Sequence, residues 1–580
     1  MVTSYRAGFS RREITAYEPG MAMLGWEHPG HKVRGVATPL FARALFLEDT
    51  ATGGQVVLVV AELGFLTCAV RLAVLAALAE RAHHEPALAG LGAHNVALGA
   101  THTHSGPSGL SQFPMYNTTN RGFSSVVFGA VVAGIVDCIA SAVHAAEPAT
   151  LQYASARIPY TVPVAFNRSL RAYNDNRDTR TVAPGRPELA TTRDTQTLRV
   201  SDAAGRGLGL VNWFGVHGTS LHPHLDQLHS DNKGIAAAAL EQRAGASSEH
   251  RPGFVAIFAQ GAAGDVSPNR RWDAERGEAI GEHDDDHASA DLNGMLQADW
   301  AWRAFERAGR TPALSGPVEG RTVHLDMANA PVAPRFATHR RRGQELRSGG
   351  LRTRSARLGL SMSLGTLEGP GPLHGLRPVF DALATLRRRT AKDDPQVPLF
   401  EVGKGVHGLA FGLVPYTRLA GLGRFDYSMA YMSAAYAGGV LDEPWAPRFL
   451  PLQLLSLAGV PLALLPGEPT TVAGRRVRAL LREHWPSAPD AVVAGHSNGY
   501  AGYITTPEEY AHQRYEGAST LFGPHTLGAY LSALDDLARG PAPVSSTAAA
   551  FGPELAPFEP ERLIARREIA RARLPMSQRG

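Results

Sequence analysis

The 580-residue sequence has only two cysteines, no long uninterrupted apolar run and little net charge. Cys68 and Cys138 lie in apolar contexts, which favours buried free thiols over a disulfide framework or a cysteine-built zinc site. Any metal ion would therefore need histidine, carboxylate or tyrosine ligands. The longest apolar stretches, residues 126–143 and 450–466, are interrupted by polar residues, glycine or proline, and so predict core elements rather than membrane spans.

The amino terminus and the charge pattern exclude further classes. The first residues carry charges with no apolar segment behind them, so they do not read as a secretion signal, and we expect a cytoplasmic chain. The net charge of +4 comes from 57 basic and 53 acidic residues. The basic runs, at residues 335–357 and 562–579, fit a solvated surface better than a nucleic-acid site. We expect no nucleic-acid partner and at most peripheral contact with a membrane.

Short apolar strands alternate with Ala- and Leu-rich helical segments through the first 270 residues. This alternation predicts an α/β core with a substantially buried sheet. The 61 glycines and 40 prolines exceed the average usage of roughly 12% and indicate many turns and loops. The pattern predicts strands at 41–47, 55–60, 95–98, 210–216 and 254–258, and helices at 70–82, 126–146 and 233–243.

The rest of the chain is less regular. Residues 330–450 are rich in glycine, proline and arginine, and we interpret them as a loop-rich elaboration or lid on one domain that covers residues 1–540. Two short strands are expected at 450–465 around a turn at Gly459, followed by a helix at 470–484. Residues 541–580 form a tail that could contain a single helix and is too short to be a domain.

Two imidazoles lie two residues apart where an apolar strand runs into the turn Ser105-Gly106-Pro107. In an extended strand, His102 and His104 would point to the same face and into one site. The alternative is two polar residues on a half-buried strand that hydrogen-bond to neighbouring carbonyls. A loop at a strand end is a common place for catalytic groups.

A second histidine follows the strand predicted at 210–216. His217 could complete a metal site with His102, whereas the histidines behind it, His222, His224 and His229, are most simply solvated loop residues.

A third strand end carries the Gly-rich run 261–264, which presents Ser267 from a loop with backbone amides nearby. The alternative is an ordinary turn capped by Asp265. Further along, Glu468 lies at a strand-to-helix junction, and the run 498–510 is dense in tyrosine, from which composition alone selects no functional residue.

Taken together, the motifs resemble those of the neutral (non-lysosomal) ceramidases, in the order of that family and over residues 5 to 530. They read THTHSGP at 101–107, NRSLRAY at 167–173, WFGVHGTS at 213–220, SDNKG at 230–234, GDVSPN at 264–269, PGEPTTVAGRR at 466–476 and YITTPEEYAHQRYEGASTLFGPHT at 503–526. The resemblance implies a large mixed-sheet catalytic domain with helices and long loops. It also implies a zinc amidase that cleaves the N-acyl bond of ceramide, or of a ceramide-like lipid, to a sphingoid base and a fatty acid.

By matching motif positions, the resemblance implies one zinc ion per chain, held by His102, His217, Glu468 and Tyr503. It further implies four catalytic residues: His104 for proton transfer, Arg168 and Tyr515 facing the substrate oxyanion, and the serine Ser267. Zinc-assisted amide hydrolysis with such donors is chemically sensible. Whether Ser267 attacks covalently or positions a water molecule stays open.

The sequence departs from the family pattern in three short places: Ser108 within the turn after the histidine pair, Leu170 in the arginine motif, and Glu62 at a strand end. We expect the carboxy-terminal β-sandwich of the family to be absent or reduced to the tail. Secretion, as in many relatives, is the alternative location. The alternative functions are the same zinc chemistry on a soluble N-acylated metabolite, or a non-catalytic lipid-binding protein.

Overall fold

The computed structural model describes residues 5–540, apart from 27, 29, 119–121, 342–343, 348–349, 391–393, 402–404, 409–411 and 415–444. Its centre is an eight-stranded sheet. The strands, numbered along the chain, are β1 (Tyr5–Glu13), β2 (Phe41–Asp49), β3 (Gly54–Ala61), β4 (Val96–Ala100), β5 (Glu147–Arg157), β6 (Asp194–Asp202), β7 (Gly207–Phe214) and β8 (His250–Gln260). Their order is β8-β7-β6-β5-β1-β2-β3-β4. The outermost pairs, β3 with β4 and β7 with β8, run parallel and the inner pairs antiparallel, so the sheet is mixed.

A second sheet of four strands comes from the later part of the chain. It consists of β9 (Glu319–Asp326), β10 (Phe449–Leu457), β11 (Val460–Leu464) and β12 (Val492–Ala494). The hairpin between β10 and β11 turns at Gly459, which has a φ of 91°. Glycine adopts such a positive φ readily because it has no Cβ. Strands β11 and β12 run parallel, so their carboxyl ends lie side by side.

The described part of the chain contains seven long helices. They are α1 (Cys68–Ala82), α2 (Ser125–His144), α3 (Asp231–Gly245), α4 (Asp286–Ala308), α5 (Arg377–Thr390), α6 (Thr471–His484) and α7 (Thr526–Arg539). A threonine side chain caps the amino terminus of two of these helices. The hydroxyl oxygen of Thr67 accepts a hydrogen bond from the Val70 amide at the start of α1, and that of Thr470 accepts one from the Ala473 amide at the start of α6. Such caps satisfy amides that have no partner inside the helix.

The layers stack as helix, sheet, sheet, helix. The apolar core between the two sheets contains residues such as Leu58, Val211 and Leu462. On the outer face of the central sheet, α1 and α2 cover β2 to β4, and α3 and α4 cover β7 and β8. Helices α6 and α7 cover the second sheet. Both faces of each sheet are therefore buried, which explains the continuous apolar runs of β3 and β4.

Helix α2 is long and apolar enough by composition to cross a membrane, and it is the one described helix of which this is true. Its apolar residues, including Val131, Ile135 and Ile139, are buried in the core formed with α1 and β2 to β4. The prediction of a core element at residues 126–143 is confirmed.

The α/β prediction is confirmed, and the predicted strands and helices are all found, with ends displaced by a few residues. Both cysteines are buried free thiols, as expected. Within residues 330–450, the described part contains α5 and a four-stranded sheet of Arg357–Gly359, Pro398–Glu401, Gly405–Gly408 and Gly412–Val414. The predicted tail at 541–580 lies outside the described residues.

Short helices and two-stranded pairings complete the structure. The short helices are Pro86–Leu88, Pro114–Thr118, Leu170–Asn174, Pro187–Ala190, Leu360–Leu364, His374–Leu376, Pro507–Ala511 and Tyr515–Ala518. The pairings are Met23–Leu24 with Gly106–Pro107, Gly35–Val36 with Gln227–Leu228, Phe166–Asn167 with Val266–Ser267, Arg271–Asp273 with Glu278–Ile280, Thr338–Arg341 with Gln344–Arg347, and Glu468–Pro469 with Tyr503–Ile504.

Candidate active site

The candidate site lies where parallel-paired strands of both sheets end. His102 follows β4 and His217 follows β7, and a bridge between Thr103 and Gly218 joins their loops. Glu468 follows β11 and pairs in register with Tyr503. The structure therefore brings together all four residues predicted as metal ligands, although about 400 positions separate the first from the last.

The expectation that His102 and His104 share the face of an extended strand is wrong. Strand β4 ends at Ala100, and His102 has a left-handed φ of 68°. The two rings nevertheless meet edge to face, with centroids 4.6 Å apart and their Nε2 atoms 3.2 Å apart. A turn, rather than strand alternation, aims both imidazoles into one site.

The ring nitrogens of the predicted ligands have a defined arrangement. Nδ1 of His102 lies 2.6 Å from the Gly64 carbonyl, and Nδ1 of His217 lies 2.7 Å from the Ala263 carbonyl. Because a carbonyl can only accept, each Nδ1 donates and each Nε2 carries a lone pair. These Nε2 atoms lie 3.5 Å and 3.1 Å from Oε2 of Glu468. Three electron-pair donors thus converge in a buried space.

Glu468 is the centre of this group. Its Oε1 accepts from the Tyr500 hydroxyl at 2.5 Å, whereas its Oε2 has no hydrogen-bond donor among the described residues. Burial alone would raise the pKa of Glu468, but positive charge on His102 and His217, when their rings are protonated, outweighs it and holds the pKa well below its usual range. A buried anionic oxygen that faces two imidazole lone pairs fits a divalent cation, for which these are normal ligand atoms.

His104 lies beside the ligands with its ring packed against Trp26. The ring centroids are 5.0 Å apart, and Nδ1 has no hydrogen-bond partner in the described chain. Burial, together with the nearby His102 and His217, lowers the pKa of His104 well below its ordinary value, so the ring is neutral. The contact requires glycine at position 25, because a Cβ there would lie 2.5 Å from the His104 ring.

Arg168 connects the metal-type ligands to the second half of the site. Its Nη2 donates to the Tyr503 hydroxyl at 2.9 Å, and that hydroxyl is 3.4 Å from Nε2 of His217. Burial and the Glu468 carboxylate raise the pKa of Tyr503 well above its usual value. Tyr515 packs edge to face on Tyr503 at 5.6 Å between centroids. Arg168 therefore lies close to Tyr515, with which the sequence grouped it, and to the predicted ligand Tyr503.

Ser267 is held by an acid that the sequence did not identify. Its hydroxyl donates to Oε2 of Glu368, and the Asn269 amide donates to the Ser267 oxygen at 2.9 Å. Glu368 also accepts from Arg168 at 2.6 Å and from Thr219 at 3.1 Å. Burial would raise the pKa of Glu368, but Arg168 outweighs this effect and lowers it. Ser267 is thus coupled through one carboxylate to the arginine at the metal-type ligands.

Asp265 fixes the relative positions of three motifs. It accepts from the Thr471 amide at 2.7 Å, at the start of α6, and from Nδ2 of Asn167 at 2.6 Å. The short pairing of Val266–Ser267 with Phe166–Asn167 brings Ser267 close to Arg168. The alternative considered from the sequence was that Asp265 caps its own Gly-rich turn; its carboxylate instead binds Thr471 and Asn167 and so supports the site.

The expectation that the histidines behind His217 are solvated holds for only one of them. His224 is about half exposed, whereas His222 and His229 are buried. His222 is enclosed because Nδ1 lies 2.9 Å from Asp286 and Nε2 lies 3.0 Å from a backbone carbonyl. Both of its nitrogens are used in support of the fold.

Four residues of the site were missed from the sequence: Tyr500, Glu368, Glu516 and His496. Glu516 accepts from Nε of Arg168 at 3.0 Å, and His496 lies beside His102 with ring centroids 4.0 Å apart. The position of His496, two residues after β12, was an available signal. Glu368 carries no such signal, because it lies in the loop-rich segment.

The fold and the site together define a class. A buried group of metal-type ligand atoms, flanked by an arginine, tyrosines and a serine at the strand ends of an α/β fold, is the arrangement of a hydrolytic enzyme. The family described as neutral/alkaline non-lysosomal ceramidase, N-terminal, matches residues 5–379 and 435–532. The chain belongs to this family, and it is an amidohydrolase of the ceramidase type.

Individual relatives extend the match over most of the chain. The neutral ceramidase of Pseudomonas aeruginosa is 32% identical over 557 residues, which cover 94% of this chain and 74% of the relative. Neutral ceramidase A of Dictyostelium discoideum is 29% identical, with 93% and 72% covered. The neutral ceramidase of Mycobacterium tuberculosis is 29% identical, with 91% and 75% covered.

Solved structures agree in fold. A structure titled "Ceramidase complexed with C2" superposes with a TM-score of 0.74 at 30% identity and covers 97% of this chain and 78% of its own. The crystal structure of the neutral ceramidase from Pseudomonas aeruginosa gives a TM-score of 0.71 at 29% identity, with 94% and 76% covered.

Proposed function

We propose that this chain is a zinc-dependent ceramidase that hydrolyses the N-acyl amide bond of ceramide, or of a ceramide-like lipid, to a sphingoid base and a fatty acid. The observation that carries the proposal is the convergence of two imidazole Nε2 atoms on Oε2 of Glu468, which has no hydrogen-bond partner among the described residues, with Arg168 and Tyr503 adjacent. The names of the relatives support the choice of substrate.

The residues that would hold zinc are His102, His217, Glu468 and Tyr503. Imidazole and carboxylate ligands suit this ion, and the carbonyls that bind Nδ1 of both histidines fix the tautomer that zinc requires. When bound, zinc polarises a carbonyl group and lowers the pKa of water toward ~7.

The other residues supply proton transfer and orientation. His104 is placed to accept a proton from the attacking water molecule and pass it to the leaving amine, because its neutral ring adjoins His102. Arg168 orients the Tyr503 hydroxyl, and together with Tyr515 it forms the donor side of the pocket, where negative charge develops on the amide oxygen. Ser267 stays oriented by Glu368 and by the Asn269 amide.

The proposal is tested by metal analysis together with a substrate panel. Purified protein should contain one zinc per chain, lose activity on chelation and regain it with added zinc. His102→Ala should lose the metal, whereas His224→Ala, at a half-exposed histidine outside the site, should keep it. Full activity without zinc would refute the metal assignment. Turnover of short soluble N-acyl amides, with none of ceramide, would refute the lipid substrate.

A further inference from the structure

His496 is a buried histidine that the proposed mechanism does not use. Its side chain is fully buried, and neither ring nitrogen has a hydrogen-bond partner within the described part of the chain. A buried polar group left without a partner destabilises the fold, because it loses its hydrogen bonds to water and gains none. The ring also adjoins the most polar part of the interior, so a packing role alone gives no reason for an imidazole here.

The backbone of His496 is fixed in an unusual conformation at the site. His496 has a left-handed φ of 53°, its amide donates to the Gly467 carbonyl at 2.8 Å, and its carbonyl accepts from the Ala100 amide at 3.1 Å. Left-handed backbone is uncommon outside glycine, and it persists where the surrounding structure enforces it, often at functional sites. These bonds attach His496 to the loop of Glu468 and to the end of β4.

His496 repeats the placement of His102. Each histidine lies two residues beyond a strand with a parallel neighbour, at Ala494 and Ala100, and each has a left-handed φ. The two rings lie 4.0 Å apart between centroids, tilted by 37°. The same local geometry therefore delivers one imidazole from each sheet to the same space.

One ring nitrogen of His496 faces the ligand group. Its Nε2 is 3.9 Å from Oε2 of Glu468, the carboxylate oxygen that has no donor among the described residues. Ligand atoms of His102, Glu468 and His496 all lie within 4.8 Å of one another, and all three side chains are buried.

We propose that His496 is a further ligand of the metal centre, in addition to His102, His217, Glu468 and Tyr503. This inference rests on the metal in the proposed function. It gives the site three imidazoles, a carboxylate and a phenol, a five-ligand set that zinc accepts less commonly than four and that also suits other first-row divalent ions. Loss of one imidazole should weaken metal binding and change the coordination number, without removing the other four groups.

The test uses His496→Asn, because asparagine tolerates left-handed backbone but is too short to replace the ring. His31→Asn is the matched control, since His31 is also buried with both nitrogens unpartnered. We expect the zinc dissociation constant of His496→Asn, measured by chelator competition, to rise roughly 10–100-fold. The visible absorption of the cobalt-substituted protein should intensify as coordination falls from five to four. His31→Asn should change neither reading.

A folded His496→Asn protein with unchanged zinc affinity and an unchanged cobalt spectrum would overturn the inference. If this variant does not fold, X-ray absorption at the zinc edge of the unaltered protein counts the imidazoles: three support the inference and two overturn it. Failure of the proposed function has a different signature, because the unaltered protein would then bind no zinc.

Discussion

Glu368 provides a test of how the site is assembled, because one carboxylate connects Ser267 to Arg168. It accepts from Arg168 at 2.6 Å, from Thr219 and Asn269 at 3.1 Å each, and from the Ser267 hydroxyl. We expect Glu368→Gln to lower turnover, because the neutral amide presents N–H groups to partners that are themselves donors.

The size of the effect follows from burial. The side chains of Glu368 and Arg168 are only 2% and 7% exposed. Removing one partner of a buried ion pair destabilises a protein by about 3–5 kcal/mol. The loss of unfolding free energy in Glu368→Ala should fall in this range. It should not reach the sum of the four lost hydrogen bonds, because Arg168 still pairs with Glu516 at 3.0 Å. Glu368→Gln should cost less, since it preserves the shape and some hydrogen bonds.

The assay combines urea unfolding with kcat and KM for the release of fatty acid from ceramide. Glu516→Gln is the matched variant, since it removes the other carboxylate on Arg168 and leaves Ser267 untouched. Glu80→Gln, at an exposed acid, controls for loss of charge alone. A larger loss of kcat in Glu368→Gln than in Glu516→Gln, at similar stability, is expected. Unchanged kcat and unfolding free energy in Glu368→Gln would refute the reasoning.

Three further changes test other parts of the structure. Ser267→Ala should leave zinc bound but lower turnover by ~10²-fold or more, and full activity in a product-release assay would contradict the role of this hydroxyl. Burial lowers the pKa of Lys233 from 10.5 to about 7. Between pH 7 and pH 10.5 the unfolded chain therefore binds a proton at this lysine that the folded chain does not bind. The free energy of unfolding should rise with pH in this range, by up to ~1.4 kcal/mol per pH unit. Lys233→Met should remove this slope from urea unfolding measured at successive pH values, and an unchanged slope would assign it to other groups. Gly25→Ala should lose about 1–3 kcal/mol in thermal unfolding and reduce turnover, because the new Cβ meets the His104 ring at 2.5 Å. Gly20→Ala, at a φ of 73° rather than 121° and with open space around it, measures the strain of a positive φ without the clash, and equal effects at both positions would remove the argument for His104.

The sequence predicted seven of the twelve strands in the two sheets and most of the residues that the structure gathers at the candidate site. Apolar runs followed by histidines predicted β4 and β7. Because parallel strands end at one edge of a sheet, they also predicted that the residues after these strands lie close together. The motif resemblance added Glu468 and Tyr503, which no local pattern would have paired with His102. Their roles in catalysis and metal binding stay predictions, as do the domain boundaries and the cytoplasmic location.

The misses have physical reasons. Strand periodicity placed His102 and His104 on one face, but the left-handed turn at His102 depends on tertiary contacts such as the bond from its amide to the Leu63 carbonyl. His222 was expected in solvent because single-sequence patterns do not reveal Asp286, 64 positions away, as its partner. Glu368 was missed because its partners are distant in the sequence. Ser267 and Asn269 lie about 100 residues away, and Thr219 and Arg168 are farther still.

The division of the ligand group between two sheets makes metal binding a measure of complete folding. His102 and His217 belong to the central sheet, and Glu468 and Tyr503 to the part of the chain that builds the second. Neither half holds more than part of the ligand set, so a chain with only one sheet formed cannot bind the ion with full affinity. Zinc uptake during refolding should therefore follow the joining of the sheets rather than the formation of either one.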